Sequence, residues 1–430
     1  MGTNIYENDL LYHGVIGRAT TIDGTEKTDV ELGEDLSTGD FIKMIGSKAY
    51  KKRWGDQEGA KGSQYTFNAT TVIFTKGVSL GDNRFALIYD NVATHDIYVV
   101  VGSVTGKVIT FGTPIIVGGF GAFAYGCSIT LIDTDKLLVG SSASGYQGFV
   151  RVVTVSGTTA TAQTNYNLGT SAGLINLAFT KLDTDKALAV YGDPNNSSYG
   201  YGAVITVSGN AVTVNTQVAF TSVAFSQGIQ KTQADQIETD KAIVTYHEGS
   251  SNSFACIVTV SGTVPTFNTR LSLYPSTSSS SVMCVALSDK VAVINHGQSA
   301  TSSNICSWCD VSGTTISRGY TTLYQALTYN HTALVKINEN EAYGAYNNAR
   351  NVMRFNFSDL ENKPYFGVPL TITSDTDYAT FISISEGRIV NAGSMSNIGK
   401  AEVFDVEYKY GIMLQDGTTG QTKKAMMEVL

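Results

Sequence analysis

Residues 182–191 read Leu-Asp-Thr-Asp-Lys-Ala-Leu-Ala-Val-Tyr, residues 203–209 read Ala-Val-Ile-Thr-Val-Ser-Gly, and residues 211–220 read Ala-Val-Thr-Val-Asn-Thr-Gln-Val-Ala-Phe. The acidic piece Asp183–Lys186 is turn chemistry, because Asp bonds its own backbone two residues on. Ser208–Gly209 is a second turn signal, since Gly reaches φ > 0 without steric cost. Between the turns lie short apolar runs, Ala187–Tyr191, Ala203–Val207 and Ala211–Phe220, rich in β-branched residues. Such runs bounded by turns read as β-strands. Nothing in the chain has the period of an amphipathic helix of useful length.

The unit recurs. The residue ending the acidic corner falls at Arg84, Lys136, Lys186, Lys241, Lys290, Glu341 and Arg388, with spacings of 52, 50, 55, 49, 51 and 47. The glycine closing the second corner falls at Gly106, Gly157, Gly209, Gly262 and Gly313, spaced 51, 52, 53 and 51. Two independent markers keep one period. A period near 50 with four strands per unit predicts an all-β fold, a β-propeller of seven blades. The apolar first strand belongs innermost and the polar fourth strand at the rim.

The seventh unit is one strand short, because the chain changes character at Tyr410. The run Gln64–Asn68 before the first unit can supply the missing rim strand, which leaves no open β edge. Closure of this kind brings both chain ends together. The expected domains are an N-terminal β module, 1–63, the propeller, 64–408, and a C-terminal hairpin, 409–430. The two ends are expected to pair as one small β module.

Composition narrows the function. Charged residues are 15% of the chain and the formal net charge is -8. An acidic balance disfavours nucleic acid and anionic membranes, which need clustered Lys and Arg. No apolar run reaches the ~20 residues of a membrane span. The opening MGTNIYENDLLYHGV lacks the charged and apolar regions of a secretory signal. Five cysteines lie in strand-like runs. Cys306-Ser-Trp-Cys309 has redox spacing, but an offset of three in a strand points the two thiols to opposite faces, so they read as buried and free.

Strand order puts the uniform acidic and Ser-Gly corners at one end of the ring. The opposite end carries loops that vary, rich in Ser, Asn, Gly, Tyr and Phe, which is where recognition sits on a rigid scaffold. The expected binding residues on this face are Phe120, Phe123, Tyr146, Asn196, Tyr199, His247 and His296. The two histidines each lie six residues after their corner marker and are expected as neighbours in equivalent loops. No third ligand accompanies them, so no metal is assigned. Asp133-Thr-Asp135 and Asp183-Thr-Asp185 lack the Gly and distal Glu of a calcium loop and read as turns. No catalytic triad, phosphate loop or paired axial carboxylates stand out. Catalytic residues and cofactors are therefore none.

The units Asp183-Thr-Asp-Lys-Ala-Leu-Ala-Val-Tyr191 and Val204-Ile-Thr-Val-Ser-Gly209, repeated as Val311-Ser-Gly-Thr-Thr-Ile316, resemble propeller repeats of virion proteins of tailed bacteriophages. The flanks Leu36-Ser-Thr-Gly-Asp-Phe-Ile-Lys43, Ser47-Lys-Ala-Tyr50 and Gly411-Ile-Met-Leu414 with Asp416-Gly-Thr-Thr-Gly-Gln-Thr422 resemble small β modules of phage decoration and fibre proteins. The resemblance implies a non-enzymatic capsid- or tail-associated protein located in the virion. Its expected partners are other virion proteins, a host-surface glycan or protein, and further copies of the chain in a homo-oligomer. The alternatives are a cell-surface lectin or adhesin and a propeller glycoside hydrolase.

Overall fold

The computed structural model describes residues 62–405 except 120–123, 144–146, 170–173, 226–231, 250–251, 276–278, 290, 299–302, 327–332, 340, 347–350, 357–364, 367–369, 372–375, 386–387 and 396. It also describes the strands Lys27–Leu32, Phe41–Ile45, Lys48–Lys51, Tyr410–Met413 and Thr422–Glu428. The chain falls into two compact units.

Among the described residues the larger unit holds seven sheets of four or five strands. The first runs Val72–Gly81, Arg84–Asn91, Asp96–Thr105 and Val108–Phe111, and the third Ile175–Asp183, Lys186–Asp193, Tyr199–Ser208 and Ala211–Ala219. The first strands of successive sheets contact one another. The fourth strands, such as Thr159–Leu168, expose alternate residues. The order from centre to rim is therefore the one the hydrophobicity of the strands predicts.

Why the second strands are apolar throughout, rather than alternating, follows from what lies on each side. Phe85, Leu87 and Tyr89 pack into a core shared with Ile382, Val390 and Val403 of the last sheet. Ala86 and Ile88, between them in sequence, pack with Ile129, Leu137 and Phe149 of the second sheet. Ala187, Ala189 and Tyr191 likewise face the second sheet, while Leu188 and Val190 face the fourth. Successive strand residues point to opposite faces, and here both faces are interfaces. Each buried Val, Leu, Ile or Phe contributes about 1.5–3 kcal/mol.

The corners explain the sequence markers. Gly106, Gly157, Gly209, Gly262 and Gly313 all have φ between 58° and 62°. A Cβ on Gly209 would meet nothing within 4 Å, so it is backbone conformation that demands glycine there. At the acidic corner Asp135, Asp185 and Asp240 take the left-handed conformation themselves, which Asp tolerates better than most residues. Asp133 Oδ1 accepts from Thr134 N at 2.8 Å and Asp183 Oδ1 from Thr184 N at 2.7 Å. The corner's basic residue reaches forward to the next sheet. Arg84 pairs with Asp135 at 2.8 Å, Lys136 with Asp185 at 2.7 Å and Lys186 with Asp240 at 2.6 Å. Both aspartates of each Asp-Thr-Asp are thus occupied, one by its own turn and one by its neighbour.

The expected closure is present. Tyr65–Asn68 pairs with Ile398–Asp405 as the fourth strand of the last sheet. Phe67 is buried, with its ring 5.0 Å from Tyr89 and 5.7 Å from Phe111. The regular four-strand expectation needs one correction. In the first, fourth and sixth sheets the rim strand is broken into two pieces. In the first sheet the break falls at Gly112–Pro114, where Pro114 cannot donate to the ladder. The smaller unit is a closed barrel in the order Lys27–Leu32, Lys48–Lys51, Phe41–Ile45, Tyr410–Met413, Thr422–Glu428. The last pair forms an antiparallel hairpin with Tyr410 opposite Glu428.

Phe67→Ala is expected to lose about 3–5 kcal/mol, as for other buried aromatic truncations, and Gly209→Ala about 1 kcal/mol. Urea unfolding followed by fluorescence checks both; a Phe67→Ala loss below that of Gly209→Ala would contradict the closing role.

Candidate functional site

The end of the ring opposite the corners holds the loops between second and third strands. They are shorter than the sequence indicates, because the second strands run on to Asn91, Asp193 and Glu248. His247 is therefore not a loop residue. It is buried in the strand Lys241–Glu248, opposite Ser253, whose Oγ lies 3.5 Å from His247 Nδ1. His296 also lies in a strand, Val291–Gln298, paired with Val282 and Ile305. Asn196 is exposed in a short 3-10 turn, Pro194–Asn196, and its Nδ2 donates to Asp193 Oδ2 at 2.9 Å. Tyr199 is half-buried opposite Asp193 in the next strand. Phe120, Phe123 and Tyr146 lie outside the described residues.

The acidic residues at this end are committed to local partners. Asp193 caps the turn, its Oδ1 accepting from Asn195 N at 3.0 Å. Asp90, fully buried, lies 3.8 Å from His95 Nδ1. Nearby, Thr70 Oγ1 donates to Asn91 Oδ1 at 2.7 Å, and Asn91 Oδ1 also accepts from Ala93 N.

The fourth sheet differs. Glu248 is buried, and its Oε2 takes a bond from Arg270 Nη1 at 2.5 Å. The guanidinium lies over the Phe254 ring at 4.2 Å, and Phe254 stacks in turn on Tyr246. Burial works against the charge of Arg270, but hydrogen bonds to Tyr246 and Glu248 hold its pKa above the ordinary value. Burial likewise pushes the Tyr246 phenol up, so the hydroxyl stays protonated. Tyr89 and Tyr191 occupy the same strand position and stack on Tyr98 and Tyr201. Their hydroxyls have no hydrogen-bond partner among the described residues. Among the described residues, Tyr246 alone of these three tyrosines is met by an arginine. Phe220 and Phe225 pack against Tyr246, and Val223, between them in sequence, is exposed. The arrangement presents a half-exposed, oriented guanidinium beside apolar surface on the variable end. Such a group can hydrogen-bond an acceptor without first being ordered.

Sequence reasoning missed this group. Arg270 belongs to no recurring loop position, and Glu248 looks like one more loop carboxylate. The usable signal was the offset itself, an arginine in the break between the rim pieces Val264–Phe267 and Leu271–Pro275 with no counterpart in neighbouring units. The five cysteines are free and buried, and burial raises the pKa of Cys306 and of Cys309, the latter to about 12.

No protein-family model matches the chain, and no curated protein matches its sequence. Solved structures do share its architecture. The WD40 domain of Toxoplasma gondii coronin aligns at TM-score 0.55 and 9% identity, over 90% of this chain and 91% of that one. The BP39L lectin of Burkholderia pseudomallei aligns at 0.55 and 9%, over 83% and 99%. The RRP9 WD40 repeats align at 0.52 and 10%, over 86% and 99%. The fold is a β-propeller. At these identities the likeness extends to the fold alone.

Arg270→Ala is expected to destabilise the ring by about 2 kcal/mol. That is less than the 3–5 kcal/mol of a fully buried pair, because Arg270 is half exposed. Adding Glu248→Gln should recover part of the loss, since no buried charge is then left unpaired. A double-mutant cycle by thermal melting measures the coupling, and strictly additive losses would show that the pair does not stabilise.

Proposed function

We propose that the protein is a non-enzymatic structural component of a bacteriophage particle, mounted on capsid or tail through its terminal barrel and displaying the propeller. The observation that carries this reading is the closure of two separate bodies by one chain. A strand from before the ring completes its last sheet, and the two chain ends form a barrel of their own. A protein that must be mounted by one body and present the other is served by this arrangement. The resemblance of the repeats and flanks to phage virion modules supports it. The committed ion pairs of the corners and of Glu248, and the hydrogen bonds that hold Asp193 in its turn, fit a scaffold whose charged groups maintain shape. Its partners on this reading are other virion proteins and a host-surface glycan or protein, and its location is the virion.

A second reading is favoured by the Arg270–Phe254–Tyr246 group. An aromatic surface with an oriented hydrogen-bond donor suits a saccharide, and the Burkholderia pseudomallei protein of the same fold is a lectin. On this reading the chain is a surface adhesin.

Mass spectrometry of purified particles distinguishes the two. The protein is expected among the particle components at a fixed copy number, and its absence from intact particles ends the virion reading. A glycan array probed with the full chain, with hits abolished by Arg270→Ala, would instead establish the lectin.

A further inference from the structure

Lys76 and Gln233 lie in the first strands of the first and fourth sheets, well separated around a ring of seven. Their side chains nevertheless meet, with Lys76 Nζ donating to Gln233 Oε1 at 3.4 Å. First strands surround the axis, so this contact crosses it. Both residues retain accessible surface, although Lys76 lies so deep that burial pulls its pKa down to about 8. Both side chains are therefore mostly enclosed while keeping some contact with solvent.

The hydrogen-bond account at this point does not balance. An ammonium offers three donors, and a glutamine amide offers two more from Nε2. Among the described residues Nζ has one long bond to a neutral oxygen and no carboxylate partner. The titratable groups acting on it are the Cys284 and Cys127 thiols, and burial pushes both up so that they remain neutral. Asp90 acts on Cys127 and Asp235 on Cys284. Asp235 is itself raised by burial to about 6, with its Oδ2 accepting from Ala286 N at 2.7 Å. The Lys76 ammonium and the Gln233 amide therefore meet with no carboxylate in hydrogen-bond contact with Nζ among the described residues, and Asp235, two residues along from Gln233, is taken up by Ala286 N. A buried cation in that condition either gives up its proton or takes a counter-ion from outside.

We propose that the axis of the propeller at Lys76 and Gln233 is a binding site for a small oxyanion, a carboxylate or a phosphate group, held by the Lys76 ammonium and the Gln233 Nε2 amide. This site is independent of the Arg270 surface and of the virion reading. The charge of Lys76 selects the sign of the bound group.

Calorimetric titration of the full-length protein at pH 7 and constant ionic strength, with sodium phosphate and separately with sodium acetate, tests it. Saturable binding of at least one of the two is expected, and whichever binds names the source chemistry. Lys76→Met should weaken that binding at least tenfold without lowering the melting temperature, since it removes an unpaired buried charge. Gln233→Glu should also abolish it while raising the melting temperature, because it supplies the counter-charge internally. Absence of saturable binding of both anions to the wild type would overturn the proposal, as would unchanged binding in Lys76→Met. The pH dependence provides a second measure. The unfolded chain keeps the lysine proton to about pH 10.5 and the folded ring releases it near 8, so between these values the unfolded state binds more protons and stability rises with pH. The bound anion should flatten that rise in the wild type, and Lys76→Met should lack it. A rise of equal size in Lys76→Met would count against the site.

Discussion

The larger unit depends on the short ladder between Tyr65–Asn68 and Ile398–Asp405. Each sheet buries both its faces, one against the sheet before and one against the sheet after, so a sheet at the end of an open row would leave one face in water. The core shared by Phe67, Phe85, Leu87, Tyr89, Ile382, Val390 and Val403 is where the row meets itself. Of the four residues of the closing strand, Phe67 alone is buried. Their effect is geometric: they tie the last sheet to the segment that enters the first, and so hold that shared core together.

Local detail serves the same end. Side chains bridge one sheet to the next near the centre, as where Ser128 Oγ accepts from Phe179 N at 2.7 Å and Gln236 Nε2 donates to Leu182 O at 2.9 Å. At the corners the lysine-to-aspartate links do this with ionic bonds. They are partly exposed, so each is worth only a fraction of the apolar interfaces; their value lies in fixing rotation of one sheet against its neighbour. The series is interrupted at the fourth sheet, where Lys241 turns back to Glu238 of its own corner at 2.9 Å.

What could be read from the chain and what could not divides along sequence distance. Gly106 through Gly313 and the acidic corners are local requirements of φ and of turn hydrogen bonding, repeated in place, so they appear as a period. Tyr65–Asn68 could be assigned by subtraction, since the last unit lacked a strand. His247 was misplaced because the ends of strands carry no signal of their own: the ladder continues through His247 and Glu248 as long as Ser253 and Asn252 are available opposite. The Glu248–Arg270 pair and the Lys76–Gln233 contact were invisible for a different reason. They depend on rim and axial packing between segments that no periodicity relates, and Lys76 finds its partner 157 positions away.

The seam has a further meaning for biosynthesis. Gln64 and Lys400, which meet beside it at 3.4 Å, are 336 positions apart. A ribosome therefore delivers the early strand long before its mate exists, and the nascent polypeptide waits with an apolar flank uncovered while more than three hundred further residues are made. Non-local pairing of this kind makes folding slow, and the waiting chain is exposed to aggregation in the meantime.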